Sequence, residues 1–406
     1  MLFQSFTFAN QKIAKNRFFK ASMEEQLAKN NRVSEELVNL YDVWARGGAG
    51  VLLTGNVMIS DNGKGSADDV VISDERDLPM LRRWVSAGTQ DNTLLIMQIN
   101  HAGKQSPKNL SAEPVAPSAV VLQGMNNFFN PPRALTEREI LAMIEQFAKV
   151  AQIAEKSGFS GVEIHAAHGY LISQFLSPHH NRRDDQWGGS LENRIRFLVE
   201  VYKAIRAKTQ ADFLVGMKLN SADFQKGGFD EHESVQVIQK MSELGIDFIE
   251  ISGGNYESPV MLSPKASTQK REAYFLDYAQ KARAVCHTPL IITGGFRSES
   301  AMNDALKNDD LDLVGVARPF ALVPDFPNQI RDGKYKAVEI KAVRTGINAI
   351  DGKMGSVLEM GWYTHQMRLI AAGKKPNLKV GAWRILLTML MQSMRSGQAN
   401  TQTSRA

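Results

Sequence analysis

The sequence predicts a closed barrel of eight parallel strands wrapped by helices, with a C-terminal extension. Short apolar, β-branched runs alternate with longer amphipathic ones along most of the 406 residues. Several short runs are apolar almost throughout, as strands covered on both faces are. There are eight of them, each but the last followed by a clear helical stretch. That count fits a (β/α)8 TIM barrel in the α/β class better than an open doubly wound sheet, which more often has fewer strands.

In chain order, the strand-like run Arg17–Met23 precedes the helical stretch Ser34–Arg46, where Ser34 suits an N-cap and Gly47 a stop. Gly50–Asn56 leads to Glu75–Ser86, and Leu94–Asn100 leads, after a long excursion, to Thr136–Lys156. Thr136 is a second N-cap with Glu in its first turn, and Gly158 closes the helix. Gly161–Ala166 is followed by Leu191–Lys208, Phe213–Asn220 by Glu231–Leu244 with Gly245 behind it, and Ile246–Ser252 by Glu272–Val285. Pro289–Gly295 precedes Ser298–Leu306, and Leu311–Arg318 completes the set. The excursion Ser106–Arg133 is rich in Pro, Ser and Asn, and loops of this length in barrels are usually functional, often as part of an active-site wall. Residues 1–332 are expected to form the barrel. Residues 333–406 form a helical extension whose apolar groups, Trp362, Tyr363, Met367 and the run Gly381–Met394, would pack on the barrel or on a second subunit. An interfacial membrane helix is the other reading of that last run.

Hydrophobic residues make up 43% and charged residues 22%, enough to bury a core without covalent staples. The net charge of +5 is spread along the chain, and no run of Lys and Arg interleaved with aromatics marks a nucleic-acid groove. The single cysteine, Cys286, excludes a disulfide framework, a Cys-only zinc site and a self-contained iron–sulfur cluster. Met1–Asn10 lacks the pattern of a signal peptide, and no apolar stretch nears the roughly 20 residues a membrane span needs. A cytoplasmic enzyme acting on a small molecule is the expectation, with stable membrane insertion and nucleic-acid binding set aside.

Barrels of this kind place chemistry at the C-terminal ends of the strands. Strands seven and eight end in Gly294-Gly295 and Ala317-Arg318, where glycine backbone can approach an anion and an Arg can fork onto it, so a phosphate site is expected there. Strand three ends in Gln98-Ile99-Asn100-His101-Ala102-Gly103 and strand five in Lys218-Leu219-Asn220. Strand four ends in His165-Ala166-Ala167-His168-Gly169-Tyr170. The two histidines admit three readings: metal ligands with Glu163 or Asp223, a clamp for a substrate oxygen, or core histidines satisfied by backbone. Tyr170 tilts the choice toward a proton donor beside a polarised substrate. Lys218, costly inside a barrel, would face an anion or pair with Glu163 or Glu250.

These residues together resemble the old yellow enzyme family, the NADH:flavin oxidoreductases. The resemblance runs from about Phe3 to Pro327 and is strongest over Glu163–Leu171, Gln174–Pro178, Asn181–Asp185 and Trp187–Arg194. Asn16-Arg17, Gln98 with His101–Gly103, and Thr293–Arg297 support it at matching places. It implies noncovalently bound FMN, reduced by NADH or NADPH, and an activated alkene or similar electrophile as substrate. By matching position, Ala21, Ser22 and Met23 would meet the flavin edge, and Gln98 and Lys218 would bond the ring. Gly294, Gly295, Ala317 and Arg318 would hold the phosphate. His165 and His168 would clamp the substrate oxygen, and Tyr170 would protonate the α-carbon.

The chain departs from the family in two side chains. Lys218 stands where many members carry Arg, which keeps the charge and loses the bidentate fork. Glu24-Glu25 follow Ser22-Met23 where many carry Thr or Cys, so either Glu24 turns away from the ring or the redox potential is unusual. The similar bacterial 2,4-dienoyl-CoA reductases add a cysteine-rich cluster and a further domain; with one cysteine and a short tail, a stand-alone reductase is expected here.

Overall fold

A computed structural model describes residues 1–258, 275–338 and 343–389. The barrel strands are β1 (Phe18–Lys20), β2 (Val51–Leu53), β3 (Leu94–Asn100), β4 (Gly161–Ala166), β5 (Leu214–Asn220), β6 (Phe248–Ser252), β7 (Leu290–Thr293) and β8 (Leu313–Val316). Each pairs in parallel with the next, and β8 returns to β1, so the sheet closes without an edge. β3 and β4 match the predicted limits, whereas the other six strands are shorter than predicted. Ala21, one residue past β1, still donates its N–H to the Val316 carbonyl at 2.9 Å.

Among the described residues the longer helices are α1 (Glu35–Arg46), α2 (Leu78–Gly88), α3 (Glu137–Ser157), α4 (Leu191–Lys208), α5 (Glu231–Glu243), α6 (Leu276–Arg283), α7 (Glu299–Lys307) and α8 (Asn348–Ala371). The first three residues of the stretch predicted to become α6 lie outside the described residues. Ser34 accepts from the Leu37 N–H, and Thr136 forms a reciprocal capping box with Glu139. Helices α1 to α7 lay their apolar faces toward the sheet, which yields the large outer core. A smaller core fills the barrel itself: Phe19, Leu53, Ile96, Leu214, Phe248, Ile291 and Leu313, with Phe8 among them. Phe8 follows the first strand of an N-terminal hairpin, Phe6–Thr7 paired with Ile13–Ala14, and its ring lies 6.2 Å from that of Phe248. The bottom of the barrel is therefore plugged, and only the top is open to chemistry.

The tail helix α8 lies against α1 and the short helix Arg318–Leu322, burying Leu358, Trp362, Tyr363, Met367 and Ile370. Its polar groups hold the loop after β1: Thr364 Oγ1 donates to the Glu24 carbonyl at 3.4 Å and Arg368 Nη2 to the Gln26 carbonyl at 3.2 Å. Residues 382–389 are helical, and the end of the apolar run, 390–394, lies outside the described residues. Fully burying one large apolar side chain contributes about 1.5–3 kcal/mol. Truncation after Gly333 should therefore lower the melting temperature or change the oligomer size; a thermal scan and sizing column that register neither would make the tail an appendage. Among the described residues, no helix is long and apolar enough to cross a membrane.

Candidate active site

Strand alternation turns the barrel interior from apolar to polar on the way up. Two residues beyond Ile96 comes Gln98, and beyond Phe248 comes Glu250. On β4 the same face carries Glu163 and His165; on β5 it carries Gly216, Lys218 and Asn220. The register sets Glu163 beside Gln98, His165 beside Lys218, Lys218 beside Glu250 and Asn220 beside Ser252. Glycine at 216 is required by the layer below: a Cβ there would stand 2.2 Å from the Phe248 ring. Phe248 thus floors the polar layer.

That layer is bonded into pairs. Ser22 Oγ donates to Gln98 Oε1 at 2.8 Å, and Gln98 Nε2 donates to Glu163 Oε2 at 2.7 Å. Lys218 Nζ donates to Glu250 Oε1 at 2.7 Å, both side chains being buried. Burial pushes the Glu163 carboxyl well up from its ordinary range, and the neighbouring Glu250 charge pushes the same way. Glu163 Oε1 and Glu250 Oε2 meet no other hydrogen-bond partner among the described residues. Lys218 is thus balanced by Glu250 on the neighbouring strand, which leaves its other N–H bonds for a further acceptor.

His165, His168 and Tyr170 converge at the top of β4. The rings of His165 and His168 are 5.1 Å apart, and those of His165 and Tyr170 are 4.9 Å apart, both edge to face. His168 adopts a left-handed φ of 60°, held by its own N–H to Asn220 Oδ1 at 3.1 Å. Its Nε2 lies 2.7 Å from Ser252 Oγ. The Ala167 N–H donates to His165 Nδ1 at 3.3 Å, which puts the ring proton of neutral His165 on Nε2. Burial lowers both imidazoles, His165 well below its ordinary value and His168 to about 3, with the Lys218 charge adding to the effect on each. Both are therefore neutral at physiological pH. Tyr170, buried and pushed well up, lies 3.2 Å from Glu24 Oε1 and 3.0 Å from the Tyr256 hydroxyl. Glu24 is thus directed at Tyr170.

Across the mouth, Gly294 and Gly295 follow β7 with φ of 148° and 93°, values that L side chains rarely adopt. Thr293 Oγ1 beneath them is buried without a partner among the described residues. Ala317 ends β8, and Arg318 starts the short helix with Nη1 on Glu359 of α8 at 3.1 Å. One edge of Arg318 is therefore committed to the tail helix; a guanidinium has further donors to offer an anion. An amide and an ammonium at the strand tops, opposite a glycine backbone and an arginine, form a donor set that fits a planar heterocycle with a phosphate arm.

For the metal reading, no third donor joins the His pair among the described residues. Glu163 is held by Gln98, and Asp223 by Asn220 and the Phe229 N–H. The three residues that do draw together are His179, His180 and Glu257, with donor atoms within 4.8 Å. There Lys104 Nζ sits 2.7 Å from His180 Nδ1, an ammonium that opposes a second cation. Ser252 and Tyr256 were missed by the sequence reading, although the strand-end rule, applied to the end of β6, reaches both. The Arg318–Glu359 pair joins residues 41 positions apart and has no local signal.

The sequence model of the NADH:flavin oxidoreductase / NADH oxidase family matches residues 1–337. An NADH-dependent flavin oxidoreductase of Hypocrea jecorina (strain QM6a) is 37% identical over 343 residues, covering 78% of this chain and 85% of the relative. One from Neonectria sp. (strain DH2) is 40% identical over 341 residues, covering 77% of this chain but only 44% of that longer protein. The solved structure of an old yellow enzyme homologue from Zymomonas mobilis superimposes with a TM-score of 0.70 at 25% identity, covering 84% of this chain and 94% of the other.

Proposed function

The chain belongs to the NADH:flavin oxidoreductase / NADH oxidase family, and on that premise we propose that it is an ene-reductase of the old yellow enzyme type. As a member it is an FMN-dependent oxidoreductase that draws on a nicotinamide. Bound here, FMN would supply hydride transfer between NADH or NADPH and an activated alkene. Gln98 and Lys218 would bond the ring, and the Lys218 charge would stabilise the negative charge that reduction places on it. Ala21, Ser22 and Met23 would border the ring, while Gly294, Gly295, Ala317 and Arg318 would hold the phosphate. His165 and His168 donate to the carbonyl or nitro oxygen of the substrate, and Tyr170 gives its proton to the α-carbon.

The observation that carries this reading is the edge-to-face convergence of His165, His168 and Tyr170 at one strand end. Two neutral imidazoles beside a phenol suit a developing oxyanion and a proton transfer one bond away. The purified protein should be yellow and release FMN on denaturation. Arg318→Ala should then weaken FMN binding, because a hydrogen bond to a charged group contributes about 1.5–3 kcal/mol, roughly a factor of 10–150. FMN titration of the apoprotein checks this, and wild-type affinity in the variant would remove Arg318 from the phosphate site.

A further inference from the structure

Tyr170 has one hydroxyl proton and three claims upon it. It donates to Glu24 Oε1 at 3.2 Å, and it shares a 3.0 Å bond with Tyr256, whose ring lies 6.0 Å away. A proton pointed at Glu24 cannot also point at a substrate carbon. For Tyr170 to face the substrate, Glu24 must reverse its role, carry a proton itself and donate to the phenol oxygen.

We propose that Glu24 is the residue that resupplies Tyr170 with its proton, drawing it from solvent past Asp69. The proposal rests on the reading of Tyr170 as the donor to the α-carbon and deepens it. As the C–H bond forms at that carbon, the Tyr170 O–H bond breaks. The phenolate then takes the carboxyl proton of Glu24, and the Glu24 carboxylate regains one from water, so each turnover draws one proton from solvent. Glu24 touches no substrate and acts through Tyr170.

The surroundings suit this task. Glu24 lies among Tyr170, Tyr256, Asn56, Gln26, Glu25 and Asp69. Burial raises its carboxyl above the ordinary range, and the adjacent Glu25 charge adds to that. Glu25 itself is committed elsewhere, to Lys20, to the Tyr41 hydroxyl at 2.6 Å and to the Gly55 N–H at 3.1 Å. Asp69 is buried behind Glu24, with Oδ2 fixed by the N–H groups of Gly65 and Ser66, and burial with the Glu24 charge raises it well above its usual value. A narrow cleft lined by Glu24, Gln26, Asn56, Asp68 and Asp69 has room for about one water. Asp68 is exposed at its outer end. Two carboxyls whose burial favours the protonated form thus lie between a buried phenol and solvent.

The test is anaerobic stopped-flow of the NADH-reduced holoenzyme against an enone, followed in the near-ultraviolet where tyrosinate absorbs. Wild type should show no tyrosinate. Glu24→Gln should accumulate it after product forms, slow successive turnovers by about 10–100-fold, and shift the pH profile of turnover; Glu24→Asp, one methylene shorter, should restore part of the rate. Glu24→Gln with no tyrosinate and a wild-type pH profile overturns the relay. Tyr170→Phe separates the two readings: slow Tyr170→Phe with wild-type Glu24→Gln sinks the relay alone, whereas wild-type Tyr170→Phe sinks the donor role and the relay together. Should Glu24→Gln fail to hold FMN, infrared spectra of the wild-type holoenzyme decide. A protonated-carboxyl band at neutral pH that shifts in Tyr170→Phe supports the relay, and its absence overturns it.

Discussion

Tyr170→Phe is expected to slow alkene reduction by about 10²–10⁴-fold while leaving flavin reduction by NADH or NADPH near the wild-type rate. The asymmetry follows from timing. Hydride transfer from the nicotinamide needs no proton at the substrate α-carbon, so a phenol there is idle in the first half-reaction. In the second, charge moves onto the substrate oxygen and the α-carbon must be protonated, and the phenylalanine ring has no proton to give. The substitution is close to isosteric, so the ring contact with His165 at 4.9 Å survives. Quinone and nitro acceptors, which need no proton at carbon, should suffer less. Stopped-flow separation of the half-reactions checks this, and equal slowing of both would remove Tyr170 from its role.

Replacing His165 or His168 by Ala should cost about 10²–10³-fold in the oxidative half-reaction and weaken substrate binding with it. These side chains would polarise the oxygen before and during hydride arrival, so binding and rate fall together. Reduction by the nicotinamide, which would use the same pocket, is expected to suffer as well. The pH dependence carries a sign. Burial lowers both imidazoles, His168 to about 3, so they stay neutral from about pH 5 to 8 and lose no proton as pH rises through that window. Substrate affinity should be flat there; a break near the ordinary histidine value that vanishes in either Ala variant would contradict neutral donors.

The barrel was legible because parallel strands sealed on both faces leave continuous apolar runs. Leu94–Asn100, Gly161–Ala166 and the helix Leu191–Lys208 lie where the pattern set them. Shorter pieces were not legible. The two-residue strands Val57–Met58 and Val70–Val71, and the N-terminal hairpin, are too brief for a period of two to register. Helix α8 contains Gly352, Gly355 and Gly361 and lacks one clean apolar stripe, since it packs on α1 and on Arg318–Leu322 at once. In the site, strand ends led to His165, His168, Tyr170, Gln98, Lys218 and the Gly294-Gly295 pair, because barrel geometry fixes where those ends lie. The direction of Glu24 was left open by the sequence, for it depends on a loop held by Thr364 and Arg368 more than 300 residues away. Lys218 met the carboxylate partner that chemistry required, and the register with β6 selected Glu250 over Glu163.

In the proposed reaction, hydride would pass from a nicotinamide to an activated alkene through FMN held at the mouth of this barrel. Anaerobic stopped-flow tests it most directly: the yellow protein is mixed with NADH or NADPH until the flavin bleaches, then with an enone, and the product is identified. Bleaching, return of the oxidised flavin spectrum, and one saturated ketone formed per flavin re-oxidised are expected of this reaction. A protein that neither carries nor takes up FMN, or whose reduced flavin is re-oxidised by no enone, nitroalkene or maleimide, would contradict it.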